Sequence, residues 1–211
     1  MELYASRFSA VEINSSFYRP HRCSTYVRWA ASVPEDFRFA VKVSKSITHT
    51  ARLENVEGLI AGFLSEVSGL GEKLGCLLVR LPTSLVFEPK IARRFFKNLR
   101  AVTEVGSAFE PRHASWFETP ADRLFEIFQI SRVAADPAPV PAGAEPGGWN
   151  RLIYHRLHGS PRMYYSAYPQ EFLARLASRV AREVSDASAW CILTTPQTVS
   201  PYPTPVNLLA N

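Results

Sequence analysis

Strand-like and helix-like segments alternate along the whole of this 211-residue chain. Short runs rich in β-branched and aromatic residues predict strands, and the apolar residues between these runs recur at helical spacing. Strands that are separated by helices need crossover connections, which produce parallel sheets. The seven predicted strands cover residues 10–14, 37–43, 76–81, 107–110, 132–135, 152–157 and 190–194.

The segments between the strands predict five helices. Their apolar stripes lie at residues 26–33, 59–67, 91–102, 124–128 and 172–184. Asn55 is the predicted N-cap of the second helix, because its short polar side chain can accept a backbone hydrogen bond there. Pro89 and the pair Thr119-Pro120 predict the starts of the third and fourth helices, where proline is favoured.

An open doubly wound sheet and a closed barrel are both compatible with this alternation. Many open sheets carry a glycine-rich dinucleotide-binding turn between an early strand and the helix that follows it. Here the only comparable spacing, Gly69-x-Gly71, follows a helix and leads into a strand, which is the reverse order. The pattern therefore favours the barrel and leaves the open sheet as the alternative.

The composition predicts a single domain over residues 1–211. The chain is 46% hydrophobic, enough for one well-filled core, and no linker separates two core-forming halves. Residues 137–148 are rich in Pro, Gly and Ala and predict a long loop. Residues 196–211 form a proline-rich C-terminal tail.

Charge and cysteine content narrow the partners and the compartment. A net charge of +5 and a pI of about 9.3 suit an anionic ligand but fall short of the dense basic patches of dedicated nucleic-acid binders. Three widely spaced cysteines predict neither a disulfide framework nor a zinc site. Since the chain has no signal peptide and no apolar run of the roughly 18 residues that a membrane span needs, we expect a cytoplasmic protein. No cofactor is predicted.

The chain also carries a series of longer motifs. They are VEINSSFYR at residues 11–19, FRFAVKV at 37–43 with ITH at 47–49, LGEKLG at 70–75, EPRHASW at 110–116 and YHRLHG at 154–159. In content and order these motifs resemble the YecE-like family, also called domain of unknown function 72. The resemblance implies a parallel (β/α) barrel of the TIM type, and it implies no particular activity, because none is established for the family.

The chain departs from this family pattern at both ends. The first strand of the family, with its Gly-Trp motif, has no counterpart, so seven strands are expected. The strand end that is Phe-x-Asn-Thr in the family reads Ile192-Leu193-Thr194-Thr195 here. A barrel without its first strand would leave unpaired backbone groups between its first and last strands. Direct closure, coverage by the tail, a second copy of the chain and a wrongly assigned start codon are the four explanations we consider.

Alternation along the strands predicts a polar face at the mouth of the barrel. In TIM-type barrels the functional side chains gather at the carboxyl ends of the strands. If Val11 and Ile13 face the helices, Glu12 and Asn14 face the mouth. The same alternation assigns to the mouth Lys42, Arg80, Glu110, Arg112, Tyr154, Arg156 and His158.

These residues suggest a site for an anion. The predicted catalytic residues are Glu12 and Glu110 as acid and base, with His158 as a proton shuttle. The predicted substrate-binding residues are Asn14, Tyr18, Lys42, His49, Arg112, His113, Asp136 and Arg156. Guanidinium and ammonium groups suit phosphate, sulfate and carboxylate oxygens. They would also repel a divalent cation, so no metal site is predicted.

Three functions remain open at this point. The first is an enzyme that acts on a small anionic or polyhydroxylated substrate. The second is a nucleic-acid phosphate binder or nuclease, which would add the basic helix faces that carry Arg93, Lys97 and Arg100. The third is a non-catalytic, degenerate barrel in which the charged residues form only a structural network.

Overall fold

A computed structural model describes residues 2–184, 187–194 and 206–208 of the chain. Its strands are β1 Ala10–Ile13, β2 Arg38–Lys42, β3 Leu74–Arg80, β4 Ser107–Glu110, β5 Ile130–Arg132, β6 Ala134–Asp136, β7 Gly147–Gly148, β8 Leu152–Leu157, β9 Ser188–Leu193 and β10 Val206–Leu208. Its α-helices are α1 Glu2–Ala5, α2 Cys23–Ala31, α3 Glu57–Val67, α4 Pro89–Val102, α5 Thr119–Ile127 and α6 Gln170–Glu183.

The strands form two sheets that are mainly parallel. The first sheet has the order β1-β2-β3-β4-β5-β7, and the second has the order β10-β9-β8-β6. Neighbouring strands from β1 to β5 are parallel, as are β6, β8 and β9, whereas β7 and β10 are antiparallel edge strands. The alternation in the sequence is thus confirmed as a mixed α/β fold with parallel sheets.

One extended segment links the two sheets. β5 and β6 follow each other directly and are interrupted only at Val133, whose N–H donates to the carbonyl oxygen of Phe109 at 2.9 Å. The predicted strand at residues 132–135 is therefore divided between the two sheets. Within the described residues, β1 forms a ladder only with β2, so a hydrogen-bonded closure into a barrel is not observed.

Side chains from the two faces of the strands form separate apolar clusters. On the outer face, Phe39, Val79 and Phe109 pack against apolar residues of the helices, which include Phe63 and Phe96. The other cluster, which we call the inner face, consists of Ala10, Ala40, Cys76, Leu78, Ala108, Val133, Leu152, Tyr154, Trp190 and Ile192. Strands β1, β2, β3, β4, β8 and β9 contribute to the inner face.

Two local features differ from the predictions or lie outside what is described. The prediction of Asn55 as an N-cap is wrong, because Val56 occupies the N-cap position of α3. Asn55 lies in the preceding turn with a positive φ of 51°. Residues 137–148 contain a short 3₁₀ helix, Pro141–Ala144, and the two residues of β7. Of the predicted tail at 196–211, only residues 206–208 are described. All three cysteines are free.

Candidate functional site

Arg156 lies at the centre of a buried group of charged side chains. Its Nη2 donates to Glu12 Oε1 at 2.8 Å and its Nε to Glu12 Oε2 at 3.0 Å. Its Nη1 donates to Glu110 Oε2 at 2.9 Å. The side chains of Arg156, Glu12 and Glu110 are 4%, 2% and 1% exposed. Because they come from β8, β1 and β4, this contact joins strands of both sheets at their carboxyl ends.

Both oxygens of Glu12 are fully engaged. Tyr154 Oη donates to Oε2 at 2.8 Å, and Asn14 Nδ2 donates to Oε1 at 2.7 Å. Burial on its own would raise the pKa of Glu12, but the charge of Arg156 and the hydrogen bonds from Arg156, Tyr154 and Asn14 lower it to about 2. Glu12 is therefore an ionised carboxylate at neutral pH with no proton to give.

Glu110 has a similar environment. Besides Arg156, it accepts hydrogen bonds from Arg80 Nε at 3.1 Å and from Arg112 Nη1 at 3.3 Å. Burial raises its pKa, but the charges of Arg156 and Arg80 outweigh this effect and the net shift is downward. The prediction of Glu12 and Glu110 as an acid and base pair depends on environments that split their pKa values, whereas here both pKa values are lowered and both groups are anions.

Positive charge exceeds negative charge in this region. We use the name ion cluster for Glu12, Lys42, Arg80, Glu110, Arg112 and Arg156. It contains four basic side chains and two carboxylates. The Nε atom of Arg112 is buried and has no hydrogen-bond partner among the described residues. An excess of buried positive charge is costly unless an anion compensates it.

Lys42 shows the effect of this excess most directly. The residue is 3% exposed, and its Nζ lies 4.1 Å from the centroid of the Phe17 ring. Burial, together with the charges of Arg156 and Arg80, lowers the pKa of Lys42 to about 8. We find no hydrogen bond from its ammonium group to any residue that the structure describes. Lys42 is thus a buried amine that loses its proton within the physiological range.

Two histidines lie beside the ion cluster and are neutral. His158 Nδ1 is 2.9 Å from Thr194 Oγ1, and its Nε2 is buried without a partner among the described residues. Burial and the charge of Arg156 lower the pKa of His158 to about 4. Burial and the charge of Arg80 also lower the pKa of His49, whose Nδ1 lies 2.8 Å from Thr48 Oγ1. The His49 ring packs edge-on against Phe17, the same ring that Lys42 contacts.

Three of the predicted site residues do not join this group. Tyr18 is 77% exposed and contacts the edge of the Phe17 ring. His113 accepts a hydrogen bond from the Ser115 N–H and caps the 3₁₀ helix Ala114–Phe117. Asp136 lines a different cavity, of about 640 Å³, which also contacts His155, Leu157, Phe172 and Arg175.

Other contributors to the site were not among the predicted site residues. Arg80 and Tyr154 had been assigned to the polar face by alternation, and their contacts with Glu110 and Glu12 make them part of the site. Phe17 and Thr194 carry no charge and follow strand ends, so no feature of the sequence marks them. Their contacts with Lys42 and His158 depend on tertiary packing.

The basic face of α4 is not a free row of cations. Arg100 donates to the carbonyl oxygens of Phe128, Gln129 and Val105, each at 2.9 Å. This guanidinium group therefore joins the ends of α4 and α5 to the strand that follows α4. Its structural role weakens the argument for a nucleic-acid surface along this helix.

Two features are absent from the described part of the chain. No group of three or more His, Cys, Asp or Glu side chains with a geometry suited to a metal ion occurs there. Among the same residues, no helix is both long enough and apolar enough to cross a membrane.

The chain is similar in sequence to known proteins. A family model described as "Protein of unknown function DUF72" matches residues 1–203. The UPF0759 protein YecE of Escherichia coli K12 is 29% identical over 148 residues, which are 67% of this chain and 54% of that protein. The chain's match thus spans about half the length of this curated relative.

Two solved structures share the fold. A DUF72 family protein from Enterococcus faecalis superposes with a TM-score of 0.77 and 22% identity, covering 94% of this chain and 86% of the other. One from Thermotoga maritima gives a TM-score of 0.69 and 23% identity, covering 86% and 76% of the two chains. Because the family model covers nearly the whole sequence, the chain belongs to the DUF72 family of proteins of unknown function.

Proposed function

We propose that this chain binds a small anionic substrate, through a phosphate or carboxylate group, beside Lys42, Arg80 and Arg112. The single observation that carries the proposal is the surplus of positive charge in the ion cluster. Arg156 forms ion pairs with both carboxylates. Because the ion cluster has four basic side chains and only two carboxylates, the charges of the other three cations are only partly balanced. A phosphate or carboxylate would supply the missing negative charge and accept their spare hydrogen bonds.

The exposure of these groups supports an opening towards solvent at this point. The side chains of Arg80 and Arg112 are 26% and 13% exposed, whereas Arg156 is 4% exposed. A ligand that arrives from solvent would therefore meet Arg80 and Arg112 first. Glu12, Glu110 and Arg156 would form the rigid support that holds the binding groups in position.

Acid–base chemistry at this site would use Lys42 and His158 rather than the two glutamates. Lys42, with its pKa of about 8, can carry or release a proton near neutral pH. His158 is neutral and offers a buried Nε2 that has no partner in the described part of the chain. Sugar-like hydroxyl groups on the anionic substrate could hydrogen-bond to this nitrogen.

We also propose that the two sheets form one (β/α) barrel, with the site at its mouth. The shared segment around Val133 and the contact from Glu12 on β1 to Arg156 on β8 support a common interior. In this arrangement β10, which pairs with β9, would occupy the gap between β9 and β1. A second copy of the chain at that edge remains the competing arrangement, and the oligomeric state in solution distinguishes the two.

Thermal unfolding in the presence of anions tests the proposed binding. Phosphate, sulfate and citrate should raise the Tm in a saturable way, whereas chloride at equal ionic strength should not. Arg112→Gln should remove most of this rise, and Arg94→Gln, on the exposed face of α4, should retain it. Equal shifts with chloride, or unaltered shifts in Arg112→Gln, would contradict the proposal and favour a non-catalytic barrel with a structural ion network.

The same assay separates small anions from nucleic acids. A polynucleotide ligand would bind with an affinity that falls steeply with salt, because each phosphate contact releases counterions. A single phosphate group held beside Lys42 and Arg112 predicts a shallow salt dependence. A steep dependence would favour the nucleic-acid alternative.

A further inference from the structure

We propose that Lys42 is a nucleophilic amine that forms a Schiff base with a small 2-oxo acid. The inference deepens the proposed function and rests on it, because the anion site would hold the carboxylate of the oxo acid while Lys42 reacts with its carbonyl carbon. Such a carbonyl compound is a narrower class than the anions considered above.

The position of Lys42 distinguishes it from the other lysines. Lys45, Lys90 and Lys97 are exposed, and Lys73 donates to the carbonyl oxygens of Ala30 and Val33. Among the described lysines, only Lys42 is buried and also lacks a hydrogen-bond acceptor for its ammonium group. Its potential acceptors, Glu12 and Glu110, are already bound by arginines. The ammonium group thus has no hydrogen-bond acceptor among the described residues.

The charged groups around Lys42 favour its neutral form. Arg156 on β8 and Arg80 on β3 oppose protonation, whereas Glu12 on β1 and Glu110 on β4 support it. Burial and the two arginines prevail, which gives a pKa of about 8. His49, also close by, is itself kept neutral. A lysine that is desolvated and near another cation is the activated form that Schiff-base chemistry requires.

The covering ring adds a steric argument. Phe17 lies 4.1 Å from Nζ and is itself buried, so it covers one side of the amine. Arg156 and Arg80 of the ion cluster act on the same amine through their charge. A 2-oxo acid has its carbonyl carbon directly bonded to its carboxylate, and this short separation suits an amine that lies beside an anion site.

The proposed reaction balances without an oxidant or reductant. The neutral amine adds to the carbonyl carbon, a C–N bond forms, and the carbonyl π electrons move to oxygen, which takes up a proton. The nitrogen loses a proton to give the carbinolamine, whose hydroxyl group takes up a further proton from solvent and leaves as water while the nitrogen lone pair forms the C=N bond of the protonated imine. One molecule of water is released for each imine, and the protonated imine can accept electron density from a neighbouring bond.

Borohydride trapping tests this inference on the full chain. The protein is incubated with pyruvate, reduced with sodium borohydride, and analysed by intact mass and peptide mapping. We expect a single secondary-amine adduct at Lys42, formed on the order of tenfold or more faster than at ordinary lysines near neutral pH. At subsaturating pyruvate, where most of the protein has no bound anion, the initial rate of trapping should rise with pH around a midpoint near 8. Lys42→Arg should abolish the adduct, and the matched variant Lys45→Arg should retain it.

The outcomes distinguish this inference from the proposed function. Phosphate should compete with pyruvate and reduce trapping at Lys42. If phosphate stabilises the protein but the adduct is absent from Lys42, or is spread evenly over the exposed lysines, the Schiff-base inference is wrong and the anion site stands. If trapping at Lys42 is unaffected by phosphate, the shared anion site is wrong. Peptide mapping of the wild-type chain decides these points even if Lys42→Arg fails to fold.

Discussion

The two ends of the inner face differ sharply although the same strands build both. At one end, small and apolar side chains pack together with Trp190, whose ring stacks on Tyr154 at a centroid distance of 6.1 Å. One step of the alternation further along, the same strands present charge. The apolar and charged residues that follow each other in this way are Ala10 and Glu12, Ala40 and Lys42, Leu78 and Arg80, Ala108 and Glu110, and Tyr154 and Arg156.

The apolar end is stabilised by its own side-chain packing, whereas the charged end carries a surplus of positive charge. The side chains at the apolar end are buried against one another in a single cluster. The charged end contains more positive than negative groups; burial lowers the pKa values of Lys42 and His158, and the charge of Arg156 lowers them further.

The largest expected effect is at the charged end. Arg156→Met leaves Glu12 and Glu110 buried without their shared cation, so the free energy of unfolding should fall by about 3–5 kcal/mol. Urea unfolding measures the loss. The triple variant Glu12→Gln, Glu110→Gln, Arg156→Met should recover part of it, since no carboxylate remains unpaired. A loss no greater than that of an exposed arginine would mean that the ion cluster is solvated.

A pH titration of stability is expected to show the next largest effect. Folding lowers the pKa of His158 from 6.5 to about 4 and that of Glu12 from 4.5 to about 2. The unfolded state thus binds more protons within each interval, and stability rises with pH there. On acidification, His158 should cost on the order of 3 kcal/mol between pH 6.5 and 4, followed by Glu12 between 4.5 and 2. In His158→Gln, the urea midpoint should no longer fall with acidification in the upper pH interval, whereas its fall in the lower interval should remain. A pH profile identical to that of the wild type would refute the assignment to His158.

A smaller effect is expected at the apolar end. A Cβ atom at Gly75 would lie 2.7 Å from Trp190 Cζ2, so Gly75→Ala should destabilise the protein by about 1–3 kcal/mol through overpacking. Its anion-dependent Tm shift should be unchanged, because the ion cluster is not touched. Gly58→Ala in α3 is the matched control, since a Cβ there meets nothing within 4 Å. Loss of anion binding in Gly75→Ala would show that the two ends are coupled.

The smallest effect is expected outside both ends. Arg94 and Glu57 form an ion pair at 2.9 Å between α4 and α3, with 60% and 48% of their side chains exposed. Solvent screens such pairs, so Arg94→Met should leave the urea midpoint within experimental error. A loss comparable to that of Arg156→Met would remove the distinction between buried and exposed pairs on which the comparison rests.

The face on which most site residues lie could be predicted from the sequence. Side chains in a strand point alternately to its two faces, so the apolar residues Val41 and Val79 fix the opposite direction for Lys42 and Arg80. The alternation of strands and helices predicted the parallel sheets, because strands separated by helices need crossover connections. These predictions depend on local geometry, which a few neighbouring residues determine.

The predicted site residues that lie apart from the ion cluster follow the points where that local geometry ends. Asp136 lies at the end of β6, after the interruption at Val133. It lines the cavity that His155 and Phe172 also line and does not join the ion cluster. Tyr18 and His113 lie in segments after strand ends, where alternation carries no information. The pairing of Glu12 with Arg156 joins residues 144 positions apart, so only the packing of the two sheets determines it. Because of that pairing, the carboxylate oxygens already accept hydrogen bonds from the protein and their pKa values are lowered, which does not suit an acid and base pair.

The central claim is that the surplus positive charge of the ion cluster binds an anion, and the pKa of Lys42 should respond to that binding directly. NMR titration of the lysine side-chain signals, assigned with Lys42→Arg, measures this pKa with and without saturating phosphate. Without phosphate we predict a midpoint near 8. With phosphate bound, the added negative charge should raise the midpoint clearly. A midpoint that is the same in both conditions would contradict the account.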